Sequence, residues 1–72
     1  MVSTPSDVAE LSTLRTQIAD VLERVVVVAE RYDDSSDSAI ATDLFAAERA
    51  LFAARRSLER ALEMLNDQTS SA

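Results

Sequence analysis

Apolar residues recur at alternating steps of three and four along most of this chain, in two series separated by a short polar break. The first series contains Leu11, Leu14, Ile18, Val21, Val25, Val28 and Tyr32. The second contains Ile40, Leu44, Ala47, Leu51, Ala54, Leu58, Ala61 and Leu65. Such steps keep successive residues on one side of an α-helix. The pattern therefore predicts two helices, each with one apolar line that packs against a neighbouring helix.

Polar residues mark the predicted helix ends. Thr4 can cap a helix and Pro5 suits the first helical position. We predict helix 1 over about 5–32. The Asp/Ser segment 33–38 then breaks the period, because both residue types compete for backbone hydrogen bonds.

The second helix is predicted over about 37–66, with Ser36 or Ser38 as its cap. Residues 67–72 are polar and are predicted to form a disordered tail. The chain is therefore expected to hold a single helical-hairpin domain over residues 1–66, without room for a second domain.

One segment of the first series is ambiguous. The run Val25 to Val28 would suit a short buried strand. It lies in phase with the apolar series that starts at Leu11, and Glu23-Arg24 precede it. We therefore predict that this run continues helix 1.

Two helices of similar length with a short connection predict an antiparallel hairpin in the all-α class. In helix 2, the alanines at 47, 54 and 61 alternate with leucines along the apolar line. Small side chains at every second position predict a close approach between the two helices. On this basis, replacing Ala54 by leucine is expected to overpack the hairpin.

Further apolar residues lie beside the two series, so a single hairpin contact does not account for all of them. Small domains without disulfides or metals usually need association to bury enough surface. We therefore expect the hairpin to dimerise into a four-helix bundle; the alternative is docking on a different protein. The expected interaction surface consists of Leu22, Val26, Phe45, Phe52, Arg49 and Arg56.

Composition narrows the possible chemistry. The chain is 47% hydrophobic with no glycine and one proline, which disfavours a turn-rich β fold. It has neither cysteine nor histidine, so thiol chemistry and the commonest general base and metal ligand are excluded. The predicted lines contain no charged residue aimed into the core. We expect no catalytic or metal-binding residue, no cofactor and no enzymatic activity.

Charge bears on possible partners. Arg49, Arg56 and Arg60 form the only candidate nucleic-acid surface. Acidic residues at helical spacing, such as Glu59 and Glu63, can pair with these arginines. The net charge of −6 also repels phosphate. A nucleic-acid-binding hairpin dimer is therefore kept as the alternative function.

The chain lacks an apolar run of the roughly 20 residues needed to cross a bilayer, and its first residues do not resemble a signal peptide. We expect no membrane association and a cytoplasmic location. The function expected from the sequence is that of a non-enzymatic protein–protein interaction module. It would act as a small acidic, homodimeric adaptor, regulatory or accessory subunit, with itself and another protein as partners.

Overall fold

The molecule is a hairpin of two long helices. A computed structural model describes residues 4–70, with side chains through residue 68. Helix α1 runs over Thr4–Asp33 and helix α2 over Ser38–Ser70. The two helices pack along each other in a body of 57 × 18 × 14 Å. The prediction of an all-α hairpin is confirmed, and the Val25 to Val28 run is helical.

Helix α2 is longer than the sequence predicts. It continues to Ser70 and does not stop at Asn66, so the assignment of residues 67–70 to a disordered tail is corrected to helix. Residues 67–70 contain no glycine or proline, the residues that most often end a helix. The rest of the predicted tail, residues 71 and 72, lies outside the described residues, as do residues 1–3.

The turn between the helices is held by the side chain of Ser35. Its hydroxyl donates to the carbonyl oxygen of Tyr32 over 2.8 Å and accepts from the amide of Asp37 over 3.1 Å. Asp37 stands immediately before α2, and its carbonyl accepts from the amide of Ile40 over 2.9 Å. Asp37 is therefore the N-cap residue of α2, the position that was predicted for Ser36 or Ser38.

Replacing Ser35 by alanine should lower the free energy of unfolding by about 0.5–1.5 kcal/mol, because both side-chain bonds that close the turn are lost. Urea denaturation followed by circular dichroism measures the change. Ser36→Ala is the matched control, since Ser36 is exposed and its hydroxyl makes neither of these bonds. Equal effects of the two substitutions would contradict the role assigned to Ser35.

The line along which α1 meets α2, here called the seam, differs from the predicted line at every second position. Leu11, Ile18 and Val25 are half-buried as predicted, but Leu14, Val21 and Val28 are exposed. The intervening seam positions are filled by Val8, Arg15, Leu22 and Ala29. The helix therefore turns a neighbouring side towards α2, with the same seven-residue repeat.

Relative to its predicted orientation, helix α2 is also rotated about its own axis, in the same sense as α1. Leu44, Leu51, Leu58 and Leu65 are half-buried as predicted, and the positions between them are Ala41, Glu48, Arg55 and Leu62. Ala29 and Ala41 are 0% and 2% exposed, so the two smallest seam residues are the most deeply buried, and both lie in the helical turns next to the loop. A short turn holds the two backbones close together, and only small side chains fit between them. The expectation that Ala54 lies in the close contact is wrong, because Ala54 is exposed.

Three charged residues, Arg15, Glu48 and Arg55, occupy seam positions, contrary to the expectation of an uncharged seam. All three are half-buried. Long charged side chains tolerate such positions because their methylene groups cover apolar surface while the charged end reaches water. Arg15 lies two heptads before Ala29 and Arg55 two heptads after Ala41, which places the two arginines at similar distances from the turn.

Candidate protein-interaction surfaces

One broad side of the hairpin carries the apolar positions that the seam leaves out. On α1 these are Leu14, Val21 and Val28, which are exposed; on α2 they are Ile40 and Ala54, which are exposed, and Ala47 and Ala61, which are half-buried at the margin of the seam. We call this set the ladder face. Val21 is 43% exposed although it is a large apolar residue in the middle of a helix. Contiguous exposed apolar surface of this kind marks an interaction site more often than scattered apolar residues do.

An open groove shows that the two halves of the ladder face lie on the same side of the molecule. Val21, Val25 and Val28 of α1 line it together with Leu44 of α2, and Arg24 forms its edge. Leu44 is spaced at four and three residues from Ile40 and Ala47, so all three share one side of α2. The exposed residues of both helices therefore form one surface.

The opposite broad side carries Phe45 and Phe52 on α2, with Val26 on α1 at the corresponding flank of the seam. We call these three residues the phenylalanine face. Phe45 and Val26 are half-buried, whereas Phe52 is 44% exposed. The predicted interaction residues Val26, Phe45 and Phe52 are thus at least partly open to solvent, but they lie away from the ladder face.

Arg55 reaches from the seam onto the phenylalanine face. Its guanidinium carbon lies 4.6 Å from the centre of the Phe52 ring, a cation–π arrangement. Its Nε atom is buried without a hydrogen-bond partner and stands 3.8 Å from Oε1 of Glu59, an ion pair too long to be a hydrogen bond. The guanidinium therefore lies over the Phe52 ring and places a positive charge beside it.

Leu22 lies in the seam, half-buried between Arg15 and Ala29 in the seven-residue repeat. It helps to hold the hairpin together, and its apolar surface is shared with α2. Of the predicted interaction residues, Leu22 is therefore the one whose placement is mainly structural.

Arg49 and Arg56 are exposed on the side of α2 that points away from α1. Arg60 is also exposed and donates from Nη2 to the hydroxyl of Ser57 over 3.0 Å. Glu63 continues the seven-residue line of Arg49 and Arg56, so the row is mixed in sign. The arrangement does not concentrate positive charge as a phosphate-binding surface requires.

Sequence reasoning found the apolar residues of both broad sides but missed the charged seam positions. Arg15, Glu48 and Arg55 break an apolar pattern, and a search for apolar periodicity passes over them. The available signal was Ala29: its heptad line contains the apolar residues Val8 and Leu22, and only Arg15 interrupts it.

Within the described part of the chain, neither helix is apolar over a stretch long enough to cross a membrane. We compared the chain with protein-family models, with curated proteins and with solved structures, and none of them matches it.

Proposed function

We propose that this chain is a non-enzymatic protein–protein interaction module, a homodimeric helical hairpin that serves as an adaptor, regulatory or accessory subunit. The observation that carries the proposal is the ladder face, where Leu14, Val21, Val28 and Ile40 remain exposed on one side of the hairpin. A second copy is the occupant that we assign to this face, which makes a four-helix bundle.

The dimensions of the hairpin support self-association. The hairpin measures 57 × 18 × 14 Å. The area of its broad side is therefore of the same order as the ~800 Å² that each partner buries in a stable interface. The hairpin alone buries little: among the described residues, only Ala29, Ala41 and Leu62 are fully buried apolar residues. A domain with so small a core gains much of its stability from association.

The phenylalanine face supports the second half of the proposal, recognition of another protein. A dimer formed through the ladder face leaves Phe52 in each copy on the outside. Aromatic residues next to arginine are frequent anchors of protein interfaces. The Arg55 guanidinium over the Phe52 ring reduces the ring's freedom, which lowers the entropic cost of binding at that point.

The self-association is tested by replacing Val21 with glutamate. The wild-type chain should sediment at micromolar concentration as a species of twice 7.8 kDa. Val21→Glu should sediment as a monomer, because two carboxylates would be buried without partners in each dimer. Sedimentation velocity over a concentration series measures both.

Val27→Glu is the matched control. Val27 has the same side chain on the same helix and is 53% exposed, but it lies outside the ladder face, on the outer side of α1, where it borders a groove shared with Arg24 and Val28. This variant should dimerise as the wild type does. A wild-type monomer, or equal behaviour of the two variants, would overturn the proposal.

A further inference from the structure

A row of hydrophilic residues runs along the edge of the ladder face on α1. Its charge changes from negative at the start of the helix to positive at the end. Glu10, Gln17, Arg24 and Arg31 are spaced by seven residues, and all four are exposed. Arg24 borders the apolar groove that contains Val21 and Val28, so this row adjoins the ladder face. From the start of the helix to its end, the row reads acid, amide, base, base.

Such a row complements a second copy of itself only when the two helices run antiparallel. A two-fold axis at Gln17 places Glu10 of one copy beside Arg24 of the other, at both ends of the contact, because both residues lie seven positions from Gln17. Leu14 and Val21, three and four positions from Gln17, then lie nearly opposite each other. Parallel copies of α1 would instead set arginine against arginine and glutamate against glutamate, which costs free energy.

Helix α2 has a centre of symmetry of its own. Ile40 and Met64, two exposed large apolar residues, each lie twelve positions from Phe52 along the chain. Ala50 and Ala54, both exposed and on the same side of α2, each lie two positions from it. An antiparallel contact between two copies of α2 would cover Ile40 with Met64 and bring the small alanines together at the middle.

The two centres lie at nearly the same distance from the turn. Gln17 precedes Ala29 by twelve residues, and Phe52 follows Ala41 by eleven, while Ala29 and Ala41 are the buried pair beside the turn. The pattern of charge on α1 and the pattern of apolar residues on α2 therefore place the axis at nearly the same height. Neither pattern depends on the other.

We propose that two copies pack ladder face on ladder face about a two-fold axis at the level of Gln17, with α1 against α1, α2 against α2, and the two turns at opposite ends of the bundle. This inference rests on the proposed self-association and specifies its geometry. The competing arrangement has both turns at one end and α1 against the partner's α2. It separates the two Gln17 residues by the bundle diagonal, roughly 14 Å for helices 10 Å apart.

Cysteine crosslinking distinguishes the two arrangements, because the chain has no cysteine of its own. A short bismaleimide reagent should convert Gln17→Cys to a covalent dimer in high yield. Thr16→Cys is the matched control, since Thr16 is the adjacent exposed residue and points away from the ladder face. It should give only monomer on a denaturing gel.

Charge reversal gives a second, independent readout. Glu10→Arg or Arg24→Glu alone should weaken dimerisation by about tenfold, because each sets like charges against each other twice per dimer. The double variant should recover the wild-type constant to within about threefold, since opposite charges face each other again. Sedimentation equilibrium measures the constants.

The outcomes separate this inference from the proposed function. A wild-type dimer that fails to crosslink through Gln17→Cys, or a double variant without recovery, overturns the arrangement and leaves self-association in place. Crosslinking of Thr16→Cys as efficient as that of Gln17→Cys also overturns the arrangement. A wild-type monomer overturns both.

Discussion

Replacing Leu62 by alanine is expected to lower the free energy of unfolding by about 2–4 kcal/mol. Leu62 is 4% exposed and is the only large apolar side chain among the described residues that is buried to this degree. Stabilities of small domains are on the order of 5–10 kcal/mol, so the loss is a large share of the total. Urea denaturation at a fixed chain concentration, followed by circular dichroism, measures it.

The location of Leu62 makes the loss hard to compensate. Leu62 lies three heptads beyond Ala41, towards the open end of the hairpin, where no turn holds the helices together. Val8, three heptads before Ala29, is the seam residue of α1 at that height. Removing the leucine leaves a cavity at the end that is already the easier one to open.

Val27→Ala is the control for Leu62→Ala. It also removes apolar methyl groups from a helix, but from a side chain that faces solvent. Its effect should stay within about 0.5 kcal/mol. Comparable losses at the two positions would show that Leu62 does not contribute to the hairpin core as its burial indicates.

The fold could be predicted from the sequence because both helices carry strong and redundant signals. Steps of three and four continue through at least three heptads in each series, and the Asp/Ser segment separates them. Glycine is absent, and the single proline stands at the second residue of α1. The Val25 to Val28 run favours a strand locally, but it stays in phase with the first series, so the two helices and the turn between them still follow from the pattern.

The rotation of each helix could not be predicted in the same way. Helix α1 has two lines of apolar residues one step apart, through Leu14 and Val21 and through Val8 and Leu22, and either can complete a seam with Ile18 and Val25. Side-chain hydrophobicity favours the line through Leu14 and Val21, because the other line also contains Arg15, and the structure uses the less hydrophobic line. The choice follows from the fit beside the turn, where Ala29 and Ala41 allow the closest approach.

This rotation changes which residues can serve an interaction. The sequence analysis placed Ala54 inside the hairpin and Leu22 on its surface, whereas Leu22 is half-buried in the seam and Ala54 is exposed. The alternation of alanine with leucine along α2 therefore has a consequence other than the close approach of the two helices that was expected from it. The leucines contribute to the seam of the hairpin, and the alanines leave a flat strip on the ladder face.

Introducing leucine at Ala29 or at Ala54 should therefore have effects of different kinds. Ala29→Leu is expected to lower the free energy of unfolding by about 1–3 kcal/mol, because the residue is 0% exposed and the added volume has no space beside the turn. The loss should be the same at low and high chain concentration. Denaturation at two concentrations, one below and one above the dimerisation constant, measures it.

Ala54→Leu should leave the monomeric hairpin as stable as the wild type, because Ala54 is exposed and leucine is nearly as good a helix former as alanine. In the proposed dimer the same side chain would lie between the two copies of α2 and push them apart. Its effect should appear only at the higher concentration, as a weaker dimer in sedimentation. If Ala54→Leu instead destabilised the hairpin at low concentration, Ala54 would belong to the seam after all, and the ladder face would lose the small residues on which its close packing depends.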